Sequence, residues 1–139
     1  MIKTLYKIYQ KFFGYPLEKH KEPDVYFKSV TIVNKTPSND EVADKDFVVV
    51  IYQNKPLWTL FRCPCGCRHV ISLSLQRIHK PSWTVNKNLS GRPTVYPSVW
   101  QTKGCHSHFW IKDGRVYWVK NLPLQRSILA SILAIALIP

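Results

Sequence analysis

The chain has 139 residues, 45% of them hydrophobic and 13% aromatic. That is enough apolar material for one packed domain and excludes a solvated, disordered chain. The formal net charge of +12 excludes an acidic surface and favours anionic partners: phosphate backbones, a membrane face or an acidic protein. The charge is unevenly placed. Residues 1–55 hold nine Lys/Arg against seven Asp/Glu, whereas residues 56–139 hold eleven against one, Asp113.

In chain order, the first element is a short basic helix. Ile2, Leu5, Tyr9 and Phe12 recur at helical spacing, Lys3, Lys7 and Lys11 fall mostly off that stripe, and Gly14 and Pro16 end it. With its linker it occupies 1–22 and is expected to pack on its own domain. Charges spread through this region leave no uninterrupted apolar run of a secretory signal, so a reducing, cytoplasmic location is expected. Residues 25–119 then read as β: short runs rich in Val, Ile, Trp and Tyr, separated by turn residues. The longest polar loop is 34–46. The clearest hairpin joins Phe109–Ile111 to Val116–Trp118 through Asp113-Gly114, a pair that supplies the positive φ values of a type I′ turn. The tail, 122–139, ends in "SILASILAIALIP", too short an apolar run to span a bilayer, which takes about 20 residues. A buried C-terminal helix is expected there. The fold class is thus mainly β (α+β): one small zinc-stabilised antiparallel β domain with a short N-terminal helix and an apolar C-terminal helix.

Three of the four cysteines fall in Cys63-Pro64-Cys65-Gly66-Cys67, and the fourth, Cys105, stands beside His106 and His108. In a reducing compartment such grouping points to metal, and neighbours this close in sequence are badly placed for disulfides. Alternating thiols on a turn stiffened by Pro64 and curved at Gly66 can aim two or three sulfurs at one point, and Cys105 can close the set. Four thiolates make a closed structural zinc site; a mixed Cys/His set including His106 or His108 is the alternative. A catalytic zinc needs an open position and a nearby base, and the half of the chain holding the cysteines has only Asp113, placed in a turn.

Ser98, between Tyr96 and Trp100, and His108, just past the fourth cysteine, offer a second chemistry. A serine activated by a histidine is the minimum for nucleophilic catalysis, its third member a backbone carbonyl or an acid from the first half. Equally, a Pro-Ser serine serves turns, and a histidine beside thiols serves as a ligand or a packed ring.

The stretch from Trp58 to Trp118 resembles a bacterial and phage family of uncharacterised domains. The resemblance is carried by Cys63–Cys67, Pro81-Ser82-Trp83, Gly91-Arg92-Pro93-Thr94 with Pro97-Ser98-Val99, and Gly104-Cys105 with Ser107–Ile111, Gly114 and Val116. Where the family often has Leu-Ser-Pro-Ser, this chain has Val95-Tyr96-Pro97-Ser98, so only the second serine is kept. The first 55 residues resemble the family loosely and the tail does not. Some relatives are encoded beside ubiquitin-like conjugation genes. The resemblance therefore implies a peptidase that processes or removes a ubiquitin-like modifier, with Ser98 as nucleophile, His108 as general base and a structural zinc on Cys63, Cys65, Cys67 and Cys105.

An oxyanion hole would come from backbone N–H groups around Ser98 or from Arg92. The alternative is a non-catalytic zinc module. It would bind nucleic acid through the basic half, with Trp83, Tyr96 and Trp100 as stacking candidates, or serve as an adaptor for an acidic protein.

Overall fold

The computed structural model describes residues 21–120. The helices expected near the two ends lie outside the described residues. Among the described residues the only helix is a single 3-10 turn, Asn39–Glu41, and everything else regular is strand. The mainly-β expectation holds. The strands are β1 (Thr31–Val33), β2 (Phe47–Tyr52), β3 (Lys55–Arg62), β4 (Val70–Ser74), β5 (Thr84–Lys87), β6 (Pro93–Trp100), β7 (His108–Lys112) and β8 (Arg115–Trp118).

They form two four-stranded sheets, each in sequential order: β1-β2-β3-β4 and β5-β6-β7-β8. Short antiparallel hairpins make most of both. The exception corrects the all-antiparallel expectation: β1 runs parallel to β2, in the register Thr31–Val48 to Val33–Val50. A parallel pair needs a long crossover, and the polar 34–46 loop is that crossover.

The alternating inward residues of the two sheets share one core. Phe47, Val49, Phe61, Ile71 and Leu73 from the first face Val95, Val99, Phe109, Ile111 and Val116 from the second. The stretch from Val25 to Val30, which reads as the start of a strand, instead turns inward at Phe27. This ring is fully buried, edge-on to Phe47 and Phe61 at 5.4 Å from each. Burying one phenyl side chain contributes roughly 2–3 kcal/mol. A smaller cluster, Val42, Val50 and Leu60, sits on the other face of the first sheet.

Phe27 is held by the hairpin that the sequence announces most clearly. Asp113 and Gly114 have φ of 49° and 73°, and the Gly114 carbonyl accepts the N–H groups of both Tyr26 and Phe27, at 2.8 and 2.9 Å. A Cβ on Gly114 would run into the Phe27 carbonyl oxygen. Gly114→Ala therefore combines a left-handed φ with a backbone clash. It is expected to destabilise the domain by more than about 2 kcal/mol, measured as a fall in the urea midpoint at unchanged slope.

Candidate functional site

The thiol knuckle grows out of the end of β3. Cys63 follows Arg62 directly, and its N–H donates to the His69 carbonyl at 2.8 Å, closing the loop into a tight hairpin end. Gly66 turns it with φ of 89°, and the Cys67 N–H donates to Cys65 Sγ at 3.3 Å. Arg62 braces the loop from below. Its guanidinium donates to the carbonyls of Val42 (2.6 Å), Arg68 (2.8 Å) and Asn39 (3.2 Å), tying the knuckle to the crossover loop.

Cys105 arrives from the other sheet, on the loop between β6 and β7. Gly104 and His106 both take positive φ there, and the Gln101 N–H donates to the Ser107 carbonyl at 2.8 Å. All four sulfurs lie within 4.8 Å of one another. Cys63 Sγ is 3.3 Å from Cys65 Sγ and 3.8 Å from Cys105 Sγ, and no pair is bonded as a disulfide. A metal bound tetrahedrally by four thiolates sets its sulfurs about 3.8 Å apart, so this donor set fits one. Neither His106 nor His108 belongs to the cluster, which leaves the mixed Cys/His alternative without support.

The thiols differ in character. Burial pushes Cys63 up to about 12. Desolvation pushes Cys65 upward too, but hydrogen bonds from the Ser107 hydroxyl and the Cys67 N–H outweigh it and bring the thiol down to about 6. The Ser107 hydroxyl is also the main reason Cys105 lies below the ordinary range. Cys67, in contrast, is raised, and the all-sulfur donor set as a whole is suited to a soft cation.

Ser98 and His108 bracket the same loop. His108 opens β7, and its carbonyl accepts the Val119 N–H at 2.9 Å, while the next residue, Phe109, is fully buried. Ser98 lies near the end of β6, where the ladder is irregular. Four steps along β6, from Val95 to Val99, face only two along β7, from Ile111 to Phe109. The slippage puts Trp100 directly across from His108 and leaves Ser98 diagonal to it. Ser98 Oγ is 3.0 Å from His108 Nε2. From below, the Trp83 indole N–H donates to the Ser98 carbonyl at 3.2 Å.

The surroundings of this pair bear on three expectations. Arg92 lies just ahead of β6, at the end away from Ser98 and roughly 20 Å along the strand, beyond reach of an oxyanion formed there. Among the described residues no carboxylate is hydrogen-bonded or ion-paired to His108; Glu22 pairs with Arg115, Asp44 with Arg62, Glu41 and Asp46 accept backbone N–H groups, and Asp113 meets Asn88. Trp83, expected as a stacking surface for bases, packs against the core. Tyr96 and Trp100 are exposed, at 65% and 59%, but they flank Ser98.

The structure also contains a second Ser–His contact that sequence reading missed. Ser74 Oγ is 2.6 Å from His79 Nδ1 and accepts the Gln76 N–H. Ser74 is only 5% exposed, and the contact closes the turn after β4. Its spacing carries no signal beyond that of an ordinary hydroxyl-capped turn.

A family model described as the bacterial ubiquitination-like system serine protease (BubE) matches residues 32–119. The chain belongs to that family. The match begins within β1 and ends just past β8, so nearly all of both sheets, the thiol cluster and the Ser98–His108 pair fall inside the matched region. No curated protein and no solved structure showed a match. Among the described residues no helix is long and apolar enough to cross a membrane. Ser98 is partly exposed on the outer face of the second sheet, whereas Ser74 is buried.

The thiol cluster is expected to take up one divalent metal per chain. Cys105→Ser should abolish stoichiometric binding in elemental analysis, and metal removal should lower stability by about 4 kcal/mol or more, the linkage expected at 1,000 times Kd. Full metal content in Cys105→Ser would place the ligands elsewhere.

Proposed function

We propose that the chain is a zinc-stabilised serine peptidase that processes a ubiquitin-like modifier or removes it from its conjugates. The observation carrying this reading is the 3.0 Å approach of Ser98 Oγ to His108 Nε2, within a region matched to a serine-protease family. With the imidazole proton on Nδ1, Nε2 accepts the Ser98 proton as Oγ bonds to the scissile carbonyl carbon. The imidazolium then hands that proton to the leaving amine as the C–N bond breaks, leaving an acyl ester on Ser98. Water, deprotonated by the same nitrogen, attacks the ester; the bond from Ser98 Oγ to the acyl carbon breaks, Oγ takes the proton back from the imidazolium, and the modifier leaves with a free carboxylate. Zinc suits the all-sulfur set of Cys63, Cys65, Cys67 and Cys105, which leaves no open position, and would supply a crosslink between loops.

Two depressions flank Ser98. One, of about 530 Å³, is walled by Tyr96, Trp110 and Tyr117 with Lys112 at its edge. The other, of about 480 Å³, lies between Trp100, Lys103 and Gly104 beside the thiols. An extended segment of substrate crossing Ser98 would rest in both, its apolar side chains on the aromatic rings and its acidic groups near Lys103, since Glu22 also lines the first depression.

The test uses a ubiquitin-like protein from the same genome, extended at its C-terminus. Wild type should cleave it, while Ser98→Ala and His108→Gln should each lose roughly 1,000-fold or more in kcat with zinc content intact. Ser74→Ala should cleave normally. Loss of activity in Ser74→Ala with full activity in Ser98→Ala would sink the assignment, as would loss of zinc in His108→Gln. Trp110→Ser is expected to raise KM about ten-fold with little change in kcat, the pattern of lost uniform binding.

A further inference from the structure

Among the described residues, Trp100 is the one ring that lies flat on the candidate base. Its plane is 19° from that of His108, with centroids 5.4 Å apart, and the two residues are directly paired across β6 and β7. By contrast, the other exposed pair on this face, Tyr96 and Trp110, is tilted at 34° and 6.1 Å apart. The imidazole of a serine peptidase has to be held in one orientation, a task a buried carboxylate commonly performs through Nδ1. Among the described residues no carboxylate is hydrogen-bonded or ion-paired to His108, whose carbonyl accepts the Val119 N–H.

A ring free to turn about its side-chain torsions would point Nε2 at Ser98 only part of the time. A flat indole against one face removes most of that freedom, and its negative π-face also favours the imidazolium that forms when Ser98 gives up its proton.

From this geometry we infer that Trp100 is the positioning residue of the reaction. It holds His108 Nε2 on Ser98 Oγ by stacking on the imidazole face. The two-residue slippage in β6 gains its purpose here, because a regular ladder continued from Val95–Ile111 would set Ser98 itself, and not Trp100, opposite His108. The inference rests on Ser98 and His108 being nucleophile and base, and its test separates the two claims.

The experiment compares wild type, Trp100→Phe, Trp100→Leu and Ser98→Ala, each with zinc content and Tm recorded. The probe is a small alkyl fluorophosphonate, which reports the nucleophilicity of the serine without any peptide contacts. Ser98 Oγ bonds to phosphorus, its proton goes to the base and fluoride leaves. Trp100→Leu should react roughly ten- to a hundred-fold more slowly, the loss expected of a misplaced catalytic group, and Trp100→Phe should recover most of the rate. In parallel, the His108 ring protons, assigned with His108→Gln, should lie upfield in the NMR spectrum of wild type through the indole ring current. They should return toward ordinary positions in Trp100→Leu.

Labelling that persists in Ser98→Ala would overturn the underlying Ser98 reading, while the ring-current shift would still test the stack. Wild-type labelling in Trp100→Leu with Ser98→Ala inert would overturn the positioning role alone. Equal loss in the Phe and Leu variants, or unshifted His108 protons in wild type, would do the same.

Discussion

The approach of Cys63 to Cys105 is the constraint on which the rest of the site depends. Cys63 ends a strand of one sheet and is buried; Cys105 sits on an exposed loop of the other. Sheet packing alone fixes the strands, not the loops at their ends, because the shared core stops at Val99 and Phe109. The loop from Gln101 to Ser107 has its own closing hydrogen bond and two left-handed turns, but no buried side chain to anchor it. Four sulfurs drawn to one point supply the missing anchor. Thiols this close are poorly compatible as free anions, so the arrangement makes electrostatic sense chiefly around a cation.

What that anchor controls is the distance between the two ends of one loop. Ser98 lies three residues before the loop and His108 immediately after it. A hydrogen bond of 3.0 Å across such a gap tolerates little drift. Below the pair, Trp83 holds the Ser98 carbonyl and Phe109 is sunk in the core; to the side, Val119 holds the His108 carbonyl. The thiol knuckle and the hydroxyl–imidazole pair are thus separate in chemistry and joined in mechanics. Cys63 also stands next to Arg62, whose three carbonyl contacts carry the restraint on to the 34–46 crossover.

Much of this was legible in the sequence, unevenly. The thiol cluster was readable because alternate cysteines on a Pro- and Gly-shaped turn have few other uses, and the Asp113-Gly114 hairpin because its φ values demand such residues. The parallel β1 was not readable: Val25 to Val33 has the composition of one strand, and only three-dimensional packing shows Phe27 leaving it for the core. Nor was the environment of His108. Residues ten apart on neighbouring strands can meet in several registers, and the slippage between Val95 and Val99 has no unambiguous spelling. The resemblance to a family placed Ser98 and His108 together; residue spacing alone left the histidine equally suited to a metal. Arg92 was suggested by its nearness in sequence, and strand geometry carries it to the far end.

The exposure of the pair shapes what it can act on. Ser98 and His108 lie on an outer sheet face, not in the core between sheets. Enzymes strengthen electrostatic interactions by excluding water, and an open face cannot do so unaided. On the proposed reading the substrate completes the enclosure. A folded protein tail laid along the Tyr96–Trp110 depression, past Ser98 and over Trp100 would cover the imidazole from the side the protein leaves open. A short peptide would bind the same groups without covering them. The same logic suits the aromatic neighbour that the imidazole has. On an open face a carboxylate is screened and holds a ring weakly, whereas the contact area of a stacked indole persists in water and grows drier when a substrate closes over it.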